Sequence, residues 1–356
     1  MISIREMKPD ERKQVLKFMR GCFPLLMRFF LSVKGKVFLA CEQEEIIGGT
    51  VLSTVKLLES RSIGIVSWLF TSPKARGKGA AGELLDRAMK YFQEIDCSEV
   101  SAIVEGYNTP SSNRFAGIGF TRLSAIDQIR IFGLHLPKVL LNTLHFFDIG
   151  HYLWYAHTDH TQMRSTRVPE ICQWIFTLFS ISLIMALLFG LSWTASLASA
   201  TLFLGIRQAS MFLAWKLLSG TPVSYRCWGT GTAMSVMIAL LFGGLFPALG
   251  GTYPREDMWS LKEYRRVLGI SGAAGSSAVL AAALALRFLF SASGGFLGGV
   301  SHASGFLLFP LILFDNLMPF FPFSIFSSGR ILEYSKRLYA VTALSAAGVL
   351  YLLYFH

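Results

Sequence analysis

The chain is short of charge. Asp, Glu, Lys and Arg make up only 15% of its 356 residues, against about 25% in a soluble domain. Hydrophobic residues make up 53%. That balance does not fit a single soluble globule. Cysteine is also scarce, with Cys22, Cys41, Cys97, Cys172 and Cys227 showing no CxxC spacing. An odd, unpaired set excludes a disulfide framework or a zinc ribbon, and reduced thiols are expected. Residues 1–13 hold no apolar stretch of the kind that opens a secretory signal, so segment 1–130 is expected to stay cytoplasmic. Net charge is +11, but the chain has no Lys/Arg run and no basic face interleaved with aromatics. A nucleic-acid partner is therefore not expected. Basic cytoplasmic loops and attraction to anionic headgroups account for the excess.

The charge deficit is uneven. Residues 1–130 have ordinary charge density, whereas from Ile171 onward long apolar runs alternate with short polar joints. The N-terminal part reads as alternating strands and helices. Strands are expected at Ile2–Arg5, Val37–Ala40, Ile46–Val55, Ser62–Phe70, Val100–Val104 and from Gly119. Helices are expected at Pro9–Arg20 and Gly79–Phe92. Within it, Phe70–Leu85 (FTSPKARGKGAAGELL) carries a strand into a proline, then a basic glycine-rich turn, then a helix. Glycines let a backbone come close to a phosphate, and a helix start offers free N–H groups and a positive dipole end. This is a candidate phosphate site built from Arg76, Gly77, Lys78, Gly79, Ala80 and Ala81, without the GxxxxGK[ST] of a P-loop. An ordinary basic strand-to-helix turn is the plainer alternative.

These residues resemble the GNAT superfamily of acyl-CoA-dependent N-acyltransferases. Its [RQ]xxGx[GA] signature is matched at Arg76–Ala81, with Pro73 ahead of it, and a second block is matched by Asn108, Phe115 and Gly119-Phe120. The resemblance covers about residues 1–133 and implies an α+β domain, a central mixed, mostly antiparallel sheet flanked by helices. It also implies that the backbone of residues 76–81 holds the pyrophosphate of acetyl-CoA or another acyl-CoA, and that the strand at Phe70 and Thr71 pairs with pantetheine. Asn108 and Phe115 would complete the coenzyme site. Catalytic members often carry a Tyr at the Phe115 position to protonate the leaving thiolate, and a phenyl ring cannot donate. Tyr107 is the candidate substitute, with water the alternative, and Glu105 is the candidate base for the amine. A solvated strand end is the alternative for Glu105.

The second half reads as an all-α polytopic membrane domain over residues 169–356. Spans are expected at Ile171–Leu191, Trp193–Leu218, Val267–Phe290, Gly298–Phe321 and Ala340–Tyr354, near or above the ~20 residues that cross hydrocarbon, the last on the short side. Met234–Leu249 is apolar but broken by Gly243-Gly244 and Pro247. If it crossed, Arg255, Lys262, Arg265 and Arg266 would lie outside, so a re-entrant segment near 230–250 is expected. Asn316–Pro319, Pro322 and Gly329–Leu332 resemble the NxxPxxPxDGGRxL block of site-2 protease type intramembrane metalloproteases. The HExxH of that family is absent. Arg207–Met211 stands in its place, and Ser324 or Ser327 stands at the third ligand. The resemblance therefore implies a catalytically dead relative, with no metal and no proteolysis. An intramembrane arginine needs a partner, and Asp315 is expected to pair with Arg207; a water-filled, anion-accepting cavity is the rival reading.

Residues 134–168 are expected to be a linker with an interfacial amphipathic helix over Leu134–Tyr155. A packed linker helix is the alternative. His151, His157 and His160 with Asp148 and Asp159 match no established metal spacing. The functional expectation is a membrane-bound acyltransferase moving an acyl group from a CoA thioester to an amine on a protein, a lipid or a small molecule. The alternative is an acyl-CoA-sensing module that regulates a pseudo-protease membrane domain.

Overall fold

Alternation of apolar side chains builds the N-terminal sheet, because successive residues of a strand face opposite sides. In the computed structural model, residues 2–143, 149–159, 161, 163–247, 249–290, 294–320 and 323–355 are described. They divide into one unit of Met1–His145 with His151–Arg167 and a second of Phe146–Gly150 with Val168–His356.

In the first unit, strands β1 (Ile2–Glu6), β2 (Lys36–Glu42), β3 (Glu45–Leu58), β4 (Arg61–Thr71), β5 (Glu99–Glu105), β6 (Thr121–Arg122) and β7 (His151–His157) form one sheet in the order β1-β2-β3-β4-β5-β7-β6. Among the described residues only the β4–β5 pair is parallel. Helices α2 (Ala80–Glu94) and α3 (Thr109–Gly117) cover one face, where Leu84, Ala88, Phe92 and Phe115 pack on Leu52, Val100, Ala102 and Val104. The other face has two covers. Helix α1 (Arg12–Cys22) lies over Val37, Leu39, Val51 and Phe70. Helices α4 (Ala125–Phe132) and α5 (Leu136–Asn142) lie over Val55, Ile63, Ile65 and Leu153. The expected sheet and helices are present, except that the strand expected from Gly119 is only two residues long.

The expected linker needs correction. Residues 136–142 are the short helix α5, and 151–157 are strand β7, which inserts between β5 and β6. Seven residues, HYLWYAH, spell a strand with alternate faces, Leu153 and Tyr155 on one side and Trp154 and Ala156 on the other. An aromatic-rich strand and an interfacial helix share a composition, and here the sheet supplies the partner. The sheet-forming unit thus extends past 133 to Arg167. Residues 144–148, within that expected helix, lie outside the described residues, as do His160 and Pro322.

The tail of this unit is pinned by Asp127, which is fully buried. Its carboxylate accepts from Ser124 Oγ, Ser165 Oγ, Thr166 N and Thr166 Oγ1, each at 2.7 Å.

The second unit contains helices α6 (Glu170–Phe189), α7 (Trp193–Leu218), α8 (Gly229–Phe242), α9 (Leu261–Phe290), α10 (Gly295–Ile312), α11 (Ser327–Tyr334) and α12 (Lys336–Tyr354). Five of these, α6, α7, α9, α10 with the turn after it, and α12, are long and apolar enough to cross a membrane. Helix α8 has 14 residues, too few for a ~30 Å core at 1.5 Å per residue. The unit is not purely helical, since β8 (Val223–Cys227) and β9 (Gly250–Pro254) pair antiparallel.

Candidate active site

Strand β4 is the pivot of the site. Its ladder with β3 steps from Leu52–Val66 to Val51–Trp68, which leaves Ser67 as an extra residue. Such a bulge bends its strand. The parallel ladder to β5 ends at the same place, with Val66 opposite Ala102. Beyond it, Trp68–Thr71 and Ile103–Glu105 are joined by no ladder among the described residues. Two unpaired strand edges therefore face a wedge, and an extended chain bearing amide groups can pair with them.

At the end of β4 the chain turns through Pro73–Ala75 into the basic loop. Gly77 and Gly79 sit at φ +82° and +92°, in the left-handed region that glycine enters without steric cost. Gly79 caps helix α2, and the amides of Ala80 and Ala81 begin it. Amides at a helix start have no carbonyl one turn earlier to donate to. Successive free N–H groups next to a left-handed residue form a concave anion site. Arg76 and Gly77 to Gly79 are all exposed. Lys78 Nζ meets Glu42 at 2.5 Å, which holds the Glu42 carboxyl below its usual range. Arg114, from α3, lies over the first turn of α2; a Cβ on Gly82 would sit 3.1 Å from its Nη1. Nothing in the local sequence marks this cation, since its place depends on a side chain being absent at Gly82.

The remaining expected residues divide. Phe70 is buried against Phe18, their ring centroids 6.2 Å apart, so its backbone and not its ring lines the wedge. Thr71, at the strand end, is half-buried. Asn108 caps α3, its side-chain oxygen accepting from Ser111 N at 3.4 Å. Phe115 belongs to the core, 5.0 Å from the Phe120 ring. Tyr107 is buried, and Glu105 is half-buried at the open end of β5.

The two faces of the sheet separate the parts. The basic loop and α2 lie on the face of Val100, Ala102 and Val104. By strand alternation Glu105 points to the opposite face. Directly across from it, in the β5–β7 register, stands His151. Cross-strand neighbours on one face have Cβ atoms about 4.5–5.5 Å apart. In the sequence His151 stands among histidines that match no metal spacing, and it becomes a neighbour of Glu105 because residues 151–157 are a strand. Among the described residues no group of three or more His, Cys, Asp or Glu is arranged to hold a metal.

The second unit has its own buried polar centre. Arg207 Nε and Nη2 donate to Asp315 at 2.9 and 2.8 Å, and Nη2 also donates to Ser327 Oγ at 3.0 Å. Asp315 further accepts from Ser276 Oγ at 3.2 Å and Ser327 N at 3.1 Å. The expected Arg207–Asp315 pair is thus present and bidentate. A π turn at Leu313–Leu317, just after Pro310 inside α10, carries both Asp315 and Asn316 into the interior.

Residues 6–120 match the family model described as the acetyltransferase (GNAT) family. Among solved structures, an acetyltransferase of the GNAT family from Staphylococcus aureus is 14% identical, the match covering 44% of this chain and 99% of that one, with a TM-score of 0.34. N-acetylglutamate synthase from Neisseria gonorrhoeae, complexed with coenzyme A and N-acetyl-glutamate, is 17% identical over 44% of this chain and 35% of that one, with a TM-score of 0.32. An IAA acetyltransferase from Bacillus cereus is 12% identical over 44% of this chain and 99% of that one, with a TM-score of 0.32. No curated protein matches the chain.

Proposed function

We propose that the N-terminal unit is an acyl-CoA-dependent N-acyltransferase facing the cytoplasm, carried on a membrane by the apolar helices of the second unit. The observation that carries this reading is the coincidence of the Ser67 bulge, the end of the β4–β5 ladder and the amide-rich loop at one end of β4. The pyrophosphate of the coenzyme would sit on the amides of residues 77–81, with Arg76 and Lys78 adding charge, and Lys78 exchanging Glu42 for phosphate. The pantetheine arm would pair with Phe70 and Thr71 in the wedge and bring the thioester through the sheet towards Glu105.

On that face an amine nitrogen attacks the thioester carbonyl. The C–N bond forms and the C–S bond breaks. Glu105 takes the proton lost by the amine, with His151 beside it, and the departing thiolate takes a proton from Tyr107 or from water. Holding both reactants in the wedge supplies much of the rate. Release of CoA thiol from acetyl-CoA, measured with the full chain and a panel of amines, tests the reading. Turnover that falls about 10²-fold or more in Glu105→Gln while acetyl-CoA still binds supports it. Turnover unaffected by that substitution contradicts Glu105 as the base.

One observation favours a second reading. Phe115 lies in the core, at the position where the resemblance places a proton donor. A unit that binds acyl-CoA tightly and turns nothing over would be a sensor regulating the helical unit. That helical unit reads as a degenerate intramembrane protease, because Arg207, at a position the resemblance gives to a metal ligand, and Ser327, one of two candidates with Ser324 for the third ligand position, converge on Asp315. A guanidinium repels a cation, so the residues there do not fit a metal centre. In this reading α8 is re-entrant and the five long helices span.

A further inference from the structure

Among the described residues, the face that carries Glu105 and His151 is uncovered between its two helical covers. Along β3, Val51 lies under α1 and Val55 lies under α4–α5, while Ser53 between them bonds Ser67 at 3.0 Å on an exposed patch of sheet. An acceptor reaching Glu105 enters through this opening, because the coenzyme loop occupies the other face.

Both rims of the opening expose large apolar side chains. After α1, Leu25 is 69% exposed and Phe29 79%; on the far rim, Ile129 is 62% exposed and Leu134 97%. Helix α4 turns Phe132 to the sheet and Ile129 to solvent, and the turns Leu26–Phe29 and Gly133–His135 bury none of their residues. Scattered apolar residues are ordinary on a surface, but rims of this kind around one opening mark a contact site. The charge around the first rim identifies the partner. Residues 12–36 contain seven Lys or Arg and no Asp or Glu. An apolar ridge in a segment of excess cations, of which Lys36 is paired with Glu6, matches the boundary between acyl chains and anionic headgroups. The same chain supplies five helices long enough to cross a bilayer, so such a surface is within reach.

We infer that the acceptor opening docks on the bilayer through the Leu25–Phe30 ridge and takes its amine from a membrane lipid. The inference rests on the transfer reading above and narrows its acceptor to a lipid-borne primary amine. Placement and substrate are tested on the full chain in vesicles of phosphatidylcholine, phosphatidylglycerol and phosphatidylethanolamine. A fluorophore is attached at Phe29→Cys, with Cys22, Cys172 and Cys227 replaced by Ser, and quenched by lipids carrying a nitroxide on the acyl chain. Strong quenching at 29, with little at a control label on Lys90→Cys of α2 on the opposite face, is expected. Acetyl transfer to phosphatidylethanolamine should exceed transfer to soluble ethanolamine at least tenfold. Leu26→Asp with Phe29→Asp should remove that preference and leave acetyl-CoA binding unchanged.

Equal labelling depths, or equal use of the two amines, overturn the inference. A chain that binds acetyl-CoA and acylates neither amine overturns the transfer reading, and the inference about the acceptor with it. Quenching at 29 tells whether the docking surface survives that failure.

Discussion

Gly79 shows how much one backbone angle decides. At φ +92° it borders open space, and a Cβ placed there would meet nothing within 4 Å. Any cost of substitution therefore comes from the backbone and the field rather than from a clash. Forcing an L side chain into that region costs about 1–2 kcal/mol, and an aspartate would add a negative charge where the amides collect. Gly79→Asp should abolish acetyl-CoA binding while lowering the melting temperature only slightly; binding that survives it would remove the loop from the site. Glu105→Gln and His151→Asn act on chemistry instead. The first should cut kcat/KM by about 10²-fold or more with little change in coenzyme affinity, and the second should lower kcat/KM less, again with coenzyme affinity kept. The loop was legible in the sequence because glycine spacing next to a strand end constrains geometry locally. Arg114 and His151 were not, since each gains its place from a distant partner, Gly82 in one case and Glu105 in the other.

Elements are held by polar ties that the apolar pattern does not reveal. Asp127 fastens α4 to residues 165 and 166. Burial opposes its charge, but the hydrogen bonds from Thr166, Ser124 and Ser165 outweigh that and hold its pKa at about 2. The folded value is below the unfolded value of about 3.9, so its contribution is complete above about pH 4 and is lost as pH falls towards 2. Asp127→Asn should therefore lower stability by about 1–3 kcal/mol at pH 7, and the gap to the natural chain should narrow at pH 3. An equal gap at both pH values would contradict the role given to the charge. In the helical unit, Asp315→Asn leaves Arg207 buried without its counter-charge, at a cost of about 3–5 kcal/mol. Replacing both by apolar residues should cost much less, as thermal unfolding in detergent would show; additive losses would argue against a coupled pair. That pair was legible because an arginine within an apolar run demands a partner. Strand β7 reads in the sequence as part of an amphipathic helix, because Tyr152, Trp154 and Tyr155 suit an interface as well as a sheet.

At the scale of the molecule, two units of opposite character share one chain. The first has a charged surface and a two-faced sheet; the second has long apolar helices around a bidentate ion pair. Composition made this division visible, since charge falls after residue 130, ahead of the long apolar helices. The boundary itself was hidden, because 151–167 return to the first unit through β7 and the Asp127 tie. Transfer and sensing alike require the amides between residues 76 and 81 to receive the coenzyme diphosphate. Calorimetric titration of the full chain with acetyl-CoA measures this directly. One site per chain, lost in Gly79→Asp and kept in Glu105→Gln, is the predicted result. No heat with the natural chain, or the same heat with Gly79→Asp, would contradict it.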